Sequence, residues 1–382
     1  MSFSRPDLAV IGGGQLARMM QQAAIGLGVR IRLLAESEDV SAAQVIPDHV
    51  VGDYTNLDDL RAIVGDAAVV TFDHEHVPPE HLRALEADGR VCRPSPDALV
   101  YAQDKALMRD RLADLGIPVP AHRVVENADD LDAFAETVGG YPVVVKTARG
   151  GYDGKGVWVV EDADAAMEAF ASGVALLAEE LVFFSRELSA LVARRPGGEI
   201  VEWPIVESRQ KDGICKEVVA PAPDLSEAVA TKARSVAARV AEGLDVVGVM
   251  AVELFETPDG HVLVNELAMR PHNSGHWTID GSLTSQFENH LRAVLDLPLG
   301  PIAPRDAWAV MVNVLGGDID DLEGQRAAVL KAVPEARIHL YGKAVKSGRK
   351  VGHVTVTGDD LPEAIGRARR AADLFEEGTV HD

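Results

Sequence analysis

The chain has 382 residues, of which 47% are apolar and 25% charged, and its formal net charge is −23. This length and composition predict two or three globular domains and exclude a disordered chain. The negative charge argues against a general nucleic-acid or membrane-surface binder, because phosphate-rich partners recruit Lys and Arg, but anionic small molecules need only a local basic pocket.

The first hundred residues alternate between apolar strands and amphipathic helices. Strands are predicted at 8–11, 29–35 and 67–72, with helices between them, including one at 57–64. A β-α-β-α-β order predicts a parallel sheet with helices on its faces. We therefore expect a Rossmann-like domain over residues 1–103.

The middle of the chain mixes strands and helices. A helix is predicted at 97–115 and a long amphipathic helix at 225–241. The predicted strands are 142–146, 157–160, 176–184, 188–193, 200–206, 246–255 and 261–267. A Pro-rich stretch at 298–304 predicts a boundary, after which residues 305–382 form a small mixed module that ends in a helix.

A glycine loop follows the first strand. Gly12, Gly14 and Ala17 fit the relaxed dinucleotide fingerprint, and Glu36 stands at the end of the second strand, where a ribose-binding acid is expected. Such loops also occur in α/β domains that bind no dinucleotide. The glycines alone do not decide between a dinucleotide-binding loop and a loop that binds no dinucleotide.

A second glycine loop lies between two predicted strands, over residues 146–156. It is not a Walker A loop, because a strand and not a helix follows it. Its backbone N–H groups could cover phosphates, with Lys146 and Lys155 supplying charge. The alternative is an ordinary mobile hairpin, but Lys146 follows three valines in a strand that should be buried, and a buried lysine needs an anion.

Two glutamates mark the hairpin that turns at Thr257-Pro258-Asp259-Gly260. A turn centred on Pro258–Asp259 predicts Glu253 opposite Val264, with Glu266 as its diagonal neighbour about 7–8 Å away on the same face. Strict alternation would turn Asn265 away. Two carboxylates at that separation suit Mg²⁺ bound to nucleotide phosphates, and two solvated acids at a strand end are the alternative.

Motifs along nearly the whole chain resemble the ATP-grasp superfamily and, within it, the 5-(carboxyamino)imidazole ribonucleotide synthetases of purine biosynthesis. They are Gly12-Gly-Gly-Gln-Leu-Ala17, Phe72-Asp-His-Glu-His-Val77, Gln103-Asp-Lys105, Lys146-Thr with Gly151-Tyr-Asp-Gly-Lys-Gly156, Glu179-Glu-Leu-Val182 with Glu187, Asn265 to His276, and Tyr341-Gly-Lys with Gly348 to His353. The resemblance implies an ATP-grasp fold of mixed α/β and α+β class. Its domains would be a Rossmann-like pre-ATP-grasp domain (1–103), an ATP-grasp domain (104–304, flap subdomain about 122–185) and a small C-terminal mixed domain (305–382).

The resemblance also implies a reaction. ATP, Mg²⁺ and bicarbonate would carboxylate the exocyclic amine of 5-aminoimidazole ribonucleotide through carboxyphosphate, with release of ADP and phosphate. The alternatives are another ATP-grasp ribonucleotide ligase, such as a formate-dependent transformylase, or a nicotinamide-dependent oxidoreductase built on the first glycine loop. Partners would be small molecules, with no nucleic acid and no membrane, and a homodimer is expected.

Site residues follow from the matched motifs. The ATP-binding residues would be Lys105, Lys146, Gly151, Tyr152, Asp153, Gly154, Lys155, Gly156, Val157, Glu179, Glu180, Leu181, Val182, Glu187, Gln210, Asn265 and Glu266, with Glu179–Val182 on adenine and Glu187 on ribose. Magnesium would be held by Glu253 and Glu266. The ribonucleotide would meet Gln15, Leu16, Glu75, Tyr152, Asp153, Arg270, His272, Asn273 and Ser274, and its 5′-phosphate Lys343, Arg349 and Lys350. The predicted catalytic residues are Arg270, Lys155, Asp153 and His272.

Two positions depart from the family pattern. Asp73 stands where many relatives have Glu, and Gln210 stands where a histidine is common.

The remaining sequence features indicate the compartment. Cys92 and Cys215 cannot build a disulfide framework, and neither lies in a C-x-x-C pair. No apolar run approaches the ~20 residues of a membrane span, and the N-terminus has no apolar signal core. We expect a soluble cytoplasmic protein.

Overall fold

The structure is a computed structural model that describes residues 6–151, 155–211 and 213–379. Its strands form three sheets, one of them much larger than the other two. None of the helices in these ranges is both long and apolar enough to cross a membrane.

The N-terminal sheet is four-stranded and parallel, which confirms the predicted alternation. Its elements are β1 (Leu8–Ile11), α1 (Gln15–Leu27), β2 (Ile31–Ala35), β3 (His49–Val51), α2 (Leu57–Val64), β4 (Val69–Phe72), α3 (Pro79–Ala87) and α4 (Pro96–Gln103). The strand order is β3-β2-β1-β4. Strand β1 is buried on both faces: Leu8 and Val10 pack with residues of α1, whereas Ala9 and Ile11 pack with residues of α2.

The helix predicted at 97–115 is two helices. Helix α4 ends at Gln103, and α5 (Lys105–Asp114) begins after Asp104, whose backbone is extended. The Asp104 carboxylate accepts hydrogen bonds from the N–H groups of Ala106 and Leu107, both at 3.1 Å. An N-cap needs a non-helical backbone, so this cap breaks the continuous helix that the apolar pattern predicted.

A four-stranded antiparallel sheet, here called the flap sheet, follows. Its elements are β5 (His122–Val125), α6 (Ala128–Thr137), β6 (Val143–Thr147), β7 (Val157–Val160), α7 (Met167–Ala171) and β8 (Leu176–Glu180), in the strand order β5-β8-β6-β7. One face packs on Leu131 and Phe134 of α6. Strand pairing places Lys146, Glu179 and Val157 together on the opposite face.

The large sheet has nine strands. The elements are β9 (Arg186–Arg194), β10 (Ile200–Glu202), β11 (Val206–Lys211), β12 (Ile214–Ala220), α8 (Glu227–Gly243), β13 (Gly248–Glu256), β14 (Val262–Ala268), α9 (Thr278–Gly281), α10 (Gln286–Val294), β15 (Trp308–Leu315), α11 (Leu322–Ala332), β16 (Arg337–Leu340), β17 (Lys350–Gly358) and α12 (Leu361–Glu376). Their order is β14-β13-β9-β11-β12-β15-β17-β16, with β10 paired to β9. The strand predicted at 200–206 is interrupted around Pro204, which has no N–H to donate to a ladder.

The pairing of β12 with β15 makes the sheet continuous from the middle of the chain into the C-terminal module. Helices α11 and α12 cover the C-terminal strands through a core that includes Val329 and Phe375. The C-terminal module therefore extends the large sheet, and up to residue 379 it forms no separate sheet of its own.

A buried histidine joins three elements. His290 on α10 accepts a hydrogen bond at Nδ1 from the N–H of Val249 (3.1 Å), so its proton lies on Nε2, 2.9 Å from Thr71 Oγ1 on β4. Because the side chain is fully buried, desolvation lowers its pKa to about 3. His290 is therefore neutral in the folded protein.

This neutral histidine predicts a loss of stability in acid. Between its folded pKa of about 3 and its ordinary value near 6.5, only the unfolded chain takes up the proton, so the free energy of unfolding falls as the pH falls. We expect the pH dependence between pH 5 and 6 to be shallower in His290→Gln than in the parent, by about 1 kcal/mol per pH unit. Urea unfolding at a series of pH values measures the free energy of unfolding of both proteins. If the two proteins show the same pH dependence between pH 5 and 6, the prediction is contradicted.

Candidate active site

The two glutamates of the β13–β14 hairpin lie directly opposite each other. Glu253 pairs with Glu266, and a β-bulge between Glu253 and Leu254 shifts the register. The prediction that Glu253 faces Val264 is therefore wrong, because Leu254 faces Val264. Asn265 is the extra residue of the bulge, so strict alternation no longer turns its side chain away.

The turn explains part of this difference. The N–H of Thr257 donates to the carbonyl of His261 (3.0 Å), so three residues and not two connect the strands. Gly260, the last of them, has φ of +76°, the left-handed conformation that this three-residue loop requires.

Burial, together with repulsion from Glu266 and Glu187, raises the pKa of Glu253 to about 8. A carboxylate pair of this kind is stabilised by a cation that replaces the proton. No cluster of three or more His, Cys, Asp or Glu side chains suited to a metal occurs in residues 6–151, 155–211 and 213–379. Two carboxylates completed by phosphate oxygens and water fit Mg²⁺, which keeps several non-protein ligands.

A buried charge network lies beside this pair. Lys146 Nζ is 2.7 Å from Glu179 Oε2 and donates to Asn265 Oδ1 at 3.2 Å. Arg109 on α5 donates from Nε to Glu179 Oε1 (2.6 Å) and from Nη2 to the carbonyl of Asn265 (2.8 Å). Arg109, which the sequence motifs did not indicate, is 1% exposed. The network joins the flap sheet, α5 and β14.

Glu179 is ionised in this network. Burial by itself raises the pKa of a carboxyl group, but the charges of Arg109 and Lys146 and their hydrogen bonds outweigh it and lower the pKa of Glu179 to about 2. The Glu179 side chain is therefore occupied by these two cations, and Glu180 to Val182, the rest of the predicted adenine segment, follow it directly in the chain.

Lys105 connects the base of the second glycine loop to the carboxylates. Its Nζ donates to the carbonyl of Gly150 (3.1 Å) and is 3.5 Å from Glu266 Oε1. Gly151 has φ of +78°, and a Cβ there would come within 2.6 Å of the Lys155 carbonyl oxygen. Lys155 itself is exposed. Tyr152, Asp153 and Gly154 lie outside the described residues.

Glu187 and Gln210 lie on neighbouring strands of the large sheet. Glu187 on β9 pairs with Ser208 of β11, and Gln210 donates from Nε2 to Ser208 Oγ (3.3 Å). Burial raises the pKa of Glu187, whereas a hydrogen bond from Gln210 opposes the change. Glu187 is close enough to Glu253 for its charge to oppose the ionisation of Glu253.

A second group of predicted residues surrounds Arg270. Its Nε donates to Glu75 Oε2 at 2.7 Å, while the buried Glu75 Oε1 has no hydrogen-bond partner in the described part of the chain. His272 Nε2 is 3.3 Å from Glu253 Oε1, and His272 Nδ1 is 2.8 Å from Ser274 Oγ. Asn273 lies between these last two residues. The pairs Arg270–Glu75 and His272–Glu253 bring the N-terminal domain and the carboxylate hairpin to one site.

The basic segment 343–350 lies beside the first glycine loop. Lys343 Nζ donates to Gln15 Oε1, and burial lowers the pKa of Lys343 although Asp73 opposes the change. Lys350 contributes positive charge at Glu253, and Arg349 is exposed. The Leu16 side chain is buried in the core, so only its main chain can meet a ligand.

Two amides of the first glycine loop and the helix that follows are hydrogen-bonded to the protein's own carboxylates. Glu36 Oε2 accepts from the N–H of Gly13 (2.9 Å), and Asp73 Oδ1 accepts from the N–H of Ala17 (2.6 Å). A Cβ on Gly14 would lie 2.1 Å from Asp73 Oδ2, so this glycine allows the close approach of Asp73. Glu36, the acid that the nicotinamide alternative would use on a ribose, therefore directs one carboxylate oxygen at its own glycine loop.

Three family models match the chain. Residues 6–103 match the ribonucleotide synthetase preATP-grasp domain, residues 110–287 the ATP-grasp domain, and residues 309–367 the phosphoribosylaminoimidazole carboxylase C-terminal domain. The chain is 52% identical over 388 residues to the N5-carboxyaminoimidazole ribonucleotide synthase of Mycobacterium tuberculosis, covering 100% of this chain and 90% of that protein. It is also 52% identical to the synthase of Corynebacterium ammoniagenes, covering 99% and 94%.

Solved structures agree with these relatives. The Aspergillus clavatus carboxyaminoimidazole ribonucleotide synthase complexed with ATP superimposes with a TM-score of 0.89 at 35% identity, covering 97% of this chain and 98% of that one. The complex of the Aspergillus clavatus protein with ADP and 5-aminoimidazole ribonucleotide has a TM-score of 0.88 at 34% identity, with the same coverage. The Thermus thermophilus synthetase has a TM-score of 0.87 at 40% identity, covering 98% and 100%.

The buried network predicts a specific effect of Glu179→Gln. Loss of the carboxylate leaves Arg109 buried without its counter-charge and Lys146 without its anchor. We expect stability to fall by a few kcal/mol and the dissociation constant of ATP to rise about tenfold. Glu217→Gln is the matched control, because Glu217 is equally buried and pairs with Arg209 and Arg369.

Chemical unfolding and calorimetric titration with ATP test both variants. Glu217→Gln should lose comparable stability while its ATP affinity changes less than about twofold. Equal losses of affinity in the two variants would contradict a specific role for the Glu179 network.

Proposed function

Because the chain belongs to the N5-carboxyaminoimidazole ribonucleotide synthase family of ATP-grasp enzymes, we propose that it carboxylates the exocyclic amine of 5-aminoimidazole ribonucleotide with ATP and bicarbonate. ADP and phosphate are the other products. The observation that carries this proposal is the contact between the Glu253–Glu266 pair, Lys105 on the ATP side and His272 on the acceptor side.

ATP would bind between the flap sheet and the large sheet. Lys105 and Lys146 would neutralise its phosphates, and the loop that carries Gly151, Lys155 and Gly156 would cover them. Val157 lies directly opposite Lys146 in the β6–β7 pair, on the same face of the flap sheet as Glu179. Because this face combines apolar and cationic groups, it suits a nucleotide base followed by phosphates.

Bicarbonate is a poor electrophile, so activation precedes transfer. A bicarbonate oxygen attacks the γ-phosphorus and ADP leaves. The amine of the ribonucleotide then attacks the carboxyl carbon of carboxyphosphate, or of carbon dioxide released from it, and the departing phosphate takes up the proton that the amine loses. Mg²⁺, held by Glu253 and Glu266, would neutralise charge on the phosphates. Arg270 would stabilise the charge of the transferring phosphoryl group, and the closed loop would exclude water from the intermediate.

The acceptor would lie between the N-terminal domain and the large sheet. The free oxygen of Glu75 suits a hydroxyl or amine of the ribonucleotide, and His272, Asn273 and Ser274 would line the same cavity. Lys343, Arg349 and Lys350 would bind the 5′-phosphate. Tyr152 and Asp153 remain proposed substrate contacts, as does the main chain at Gln15 and Leu16.

Three further proposals rest on the family alone. They are a homodimer, a cytoplasmic location, and domain boundaries near residues 103 and 304.

The proposed function predicts ADP release that requires the ribonucleotide acceptor. With ATP, Mg²⁺ and bicarbonate present, adding 5-aminoimidazole ribonucleotide should stimulate ADP formation, and replacing bicarbonate by formate should not support it. A coupled ADP assay measures this. Glu266→Gln should lower the stimulated rate at least 100-fold, since one ligand of the metal is lost. If the rate of ADP formation does not change when 5-aminoimidazole ribonucleotide is added, or if ADP formation requires formate, the assignment is overturned.

Variants of two lysines in the basic segment 343–350 can distinguish a specific contact with the 5′-phosphate from a general effect of positive charge on substrate binding. Lys343→Ala should raise the KM for the ribonucleotide at least tenfold and leave the KM for ATP within about twofold, because one charge-assisted contact is worth about 1.5–3 kcal/mol. Lys346→Ala, in the same segment but exposed, should change neither constant. Steady-state kinetics distinguish the two, and equal effects would contradict the assignment of Lys343.

A further inference from the structure

A fully buried amide lies behind the acceptor side of the site. Gln286, the first residue of α10, is 0% exposed. Its Oε1 accepts from the N–H of His272 (2.8 Å), and its Nε2 donates to the His272 carbonyl (2.7 Å) and to His276 Nδ1 (3.0 Å). Both hydrogens and one lone pair of this amide are therefore used on the segment 272–276.

The contact resembles the pairing of two strands, with a side-chain amide in place of a second backbone. Two opposed hydrogen bonds to one residue fix both the position and the rotation of its main chain. The close fit extends to Gly275, where a Cβ would lie 2.4 Å from Gln286 Oε1. Gln286 is held in turn, because its own N–H donates to Thr278 Oγ1 at 2.8 Å.

The imidazole of His272 extends from this fixed main chain towards the carboxylates. Its Nε2 meets Glu253 Oε1 at 3.3 Å, and its Nδ1 meets Ser274 Oγ at 2.8 Å. Ser274 Oγ is also 2.7 Å from Ser189 Oγ on β9. A small rotation of the His272 main chain would therefore move the ring away from Glu253.

We propose that Gln286 is a positioning residue that sets the orientation of His272 against Glu253 through the main chain of His272. This inference rests on the proposed function, in which His272 and Glu253 belong to the site. Mutation of a group that hydrogen-bonds to a metal ligand costs roughly 10- to 100-fold in metal affinity or activity, and Gln286 would act through such a group, His272.

The same helix supplies a matched control. Asn289 is also 0% exposed, and its amide makes the same kind of pair, accepting from the N–H of Gly300 at 2.7 Å and donating to the Gly300 carbonyl at 3.2 Å. Gly300 lies in the Pro-rich segment 298–304 and in none of the proposed binding positions. Gln286→Met and Asn289→Leu each remove a buried amide–backbone pair and keep a side chain of similar length.

The experiment compares both variants in the coupled ADP assay and by thermal unfolding. Both should lose similar stability. Gln286→Met should lower kcat roughly 10- to 100-fold, with the dissociation constant of ATP, measured without turnover, within about threefold of the parent. Asn289→Leu should keep kcat within about threefold of the parent. Combining Gln286→Met with His272→Ala should add less than about threefold to the loss from His272→Ala alone, since the group through which Gln286 acts is already absent.

Equal losses of kcat in Gln286→Met and Asn289→Leu, or fully multiplicative losses in the double variant, would overturn the inference. If Gln286→Met does not fold, Gln286→Glu replaces it, because it keeps the acceptor to the His272 N–H and removes both donors, and the same comparison applies. Absence of acceptor-dependent ADP release in the parent protein would instead refute the proposed function, so the two failures are distinguishable.

Discussion

The ion pairs of Glu179 hold the two halves of the nucleotide cleft together. A carboxylate that is almost completely removed from water costs several kcal/mol unless cations and hydrogen bonds compensate it. Here Arg109 comes from the helix that follows Asp104 and Lys146 from the flap sheet, and both cations also donate to Asn265 in the bulge of the carboxylate hairpin. Because each partner belongs to a different element, the position of Lys146 and the position of the bulge are fixed by one anion.

The N-terminal domain shows how one backbone motif serves two different purposes. A glycine loop that opens a helix offers amide groups to any anion of the right size. In this chain Glu36 and Asp73 accept hydrogen bonds from the amides of Gly13 and Ala17, so part of this capacity is used within the protein itself. The glycine pattern alone could not distinguish a bound ligand from a carboxylate of the protein. It predicts the conformation of the backbone, but not which anion accepts the hydrogen bonds of its amides.

Most of the architecture could be predicted from hydrophobic periodicity and from the motifs, and the parallel N-terminal sheet is the clearest example. The failures have local causes. A polar cap at Asp104 divided a helix whose apolar pattern is continuous, and one residue in the turn at Gly260 changed the register of the carboxylate hairpin. Arg109 escaped notice because a lone arginine in a helix usually lies on a solvated face, and only the tertiary contacts place it beside Glu179.

The strand register also determines on which face of the hairpin the Asn265 side chain is predicted to lie. Simple alternation separates it from Glu266, whereas a bulge allows both residues to serve the site. Nothing in the local sequence Val264-Asn265-Glu266 requires a bulge, since bulges depend on the partner strand as much as on their own residues. The motifs therefore indicated which side chains lie close together better than they indicated the register between those side chains.

The ladder between β12 and β15 has a mechanical consequence. Strands that carry the carboxylates and strands that carry the basic segment belong to one hydrogen-bonded sheet, so they cannot hinge against each other without breaking backbone bonds. The flap sheet shares no strand with it. The carboxylate hairpin and the strand that follows the basic segment are therefore held in one backbone frame, whereas the flap sheet meets that frame through side-chain contacts that include the hydrogen bond from Lys146 to Asn265. Any opening of the flap sheet would break such side-chain contacts and leave the ladder of the large sheet intact.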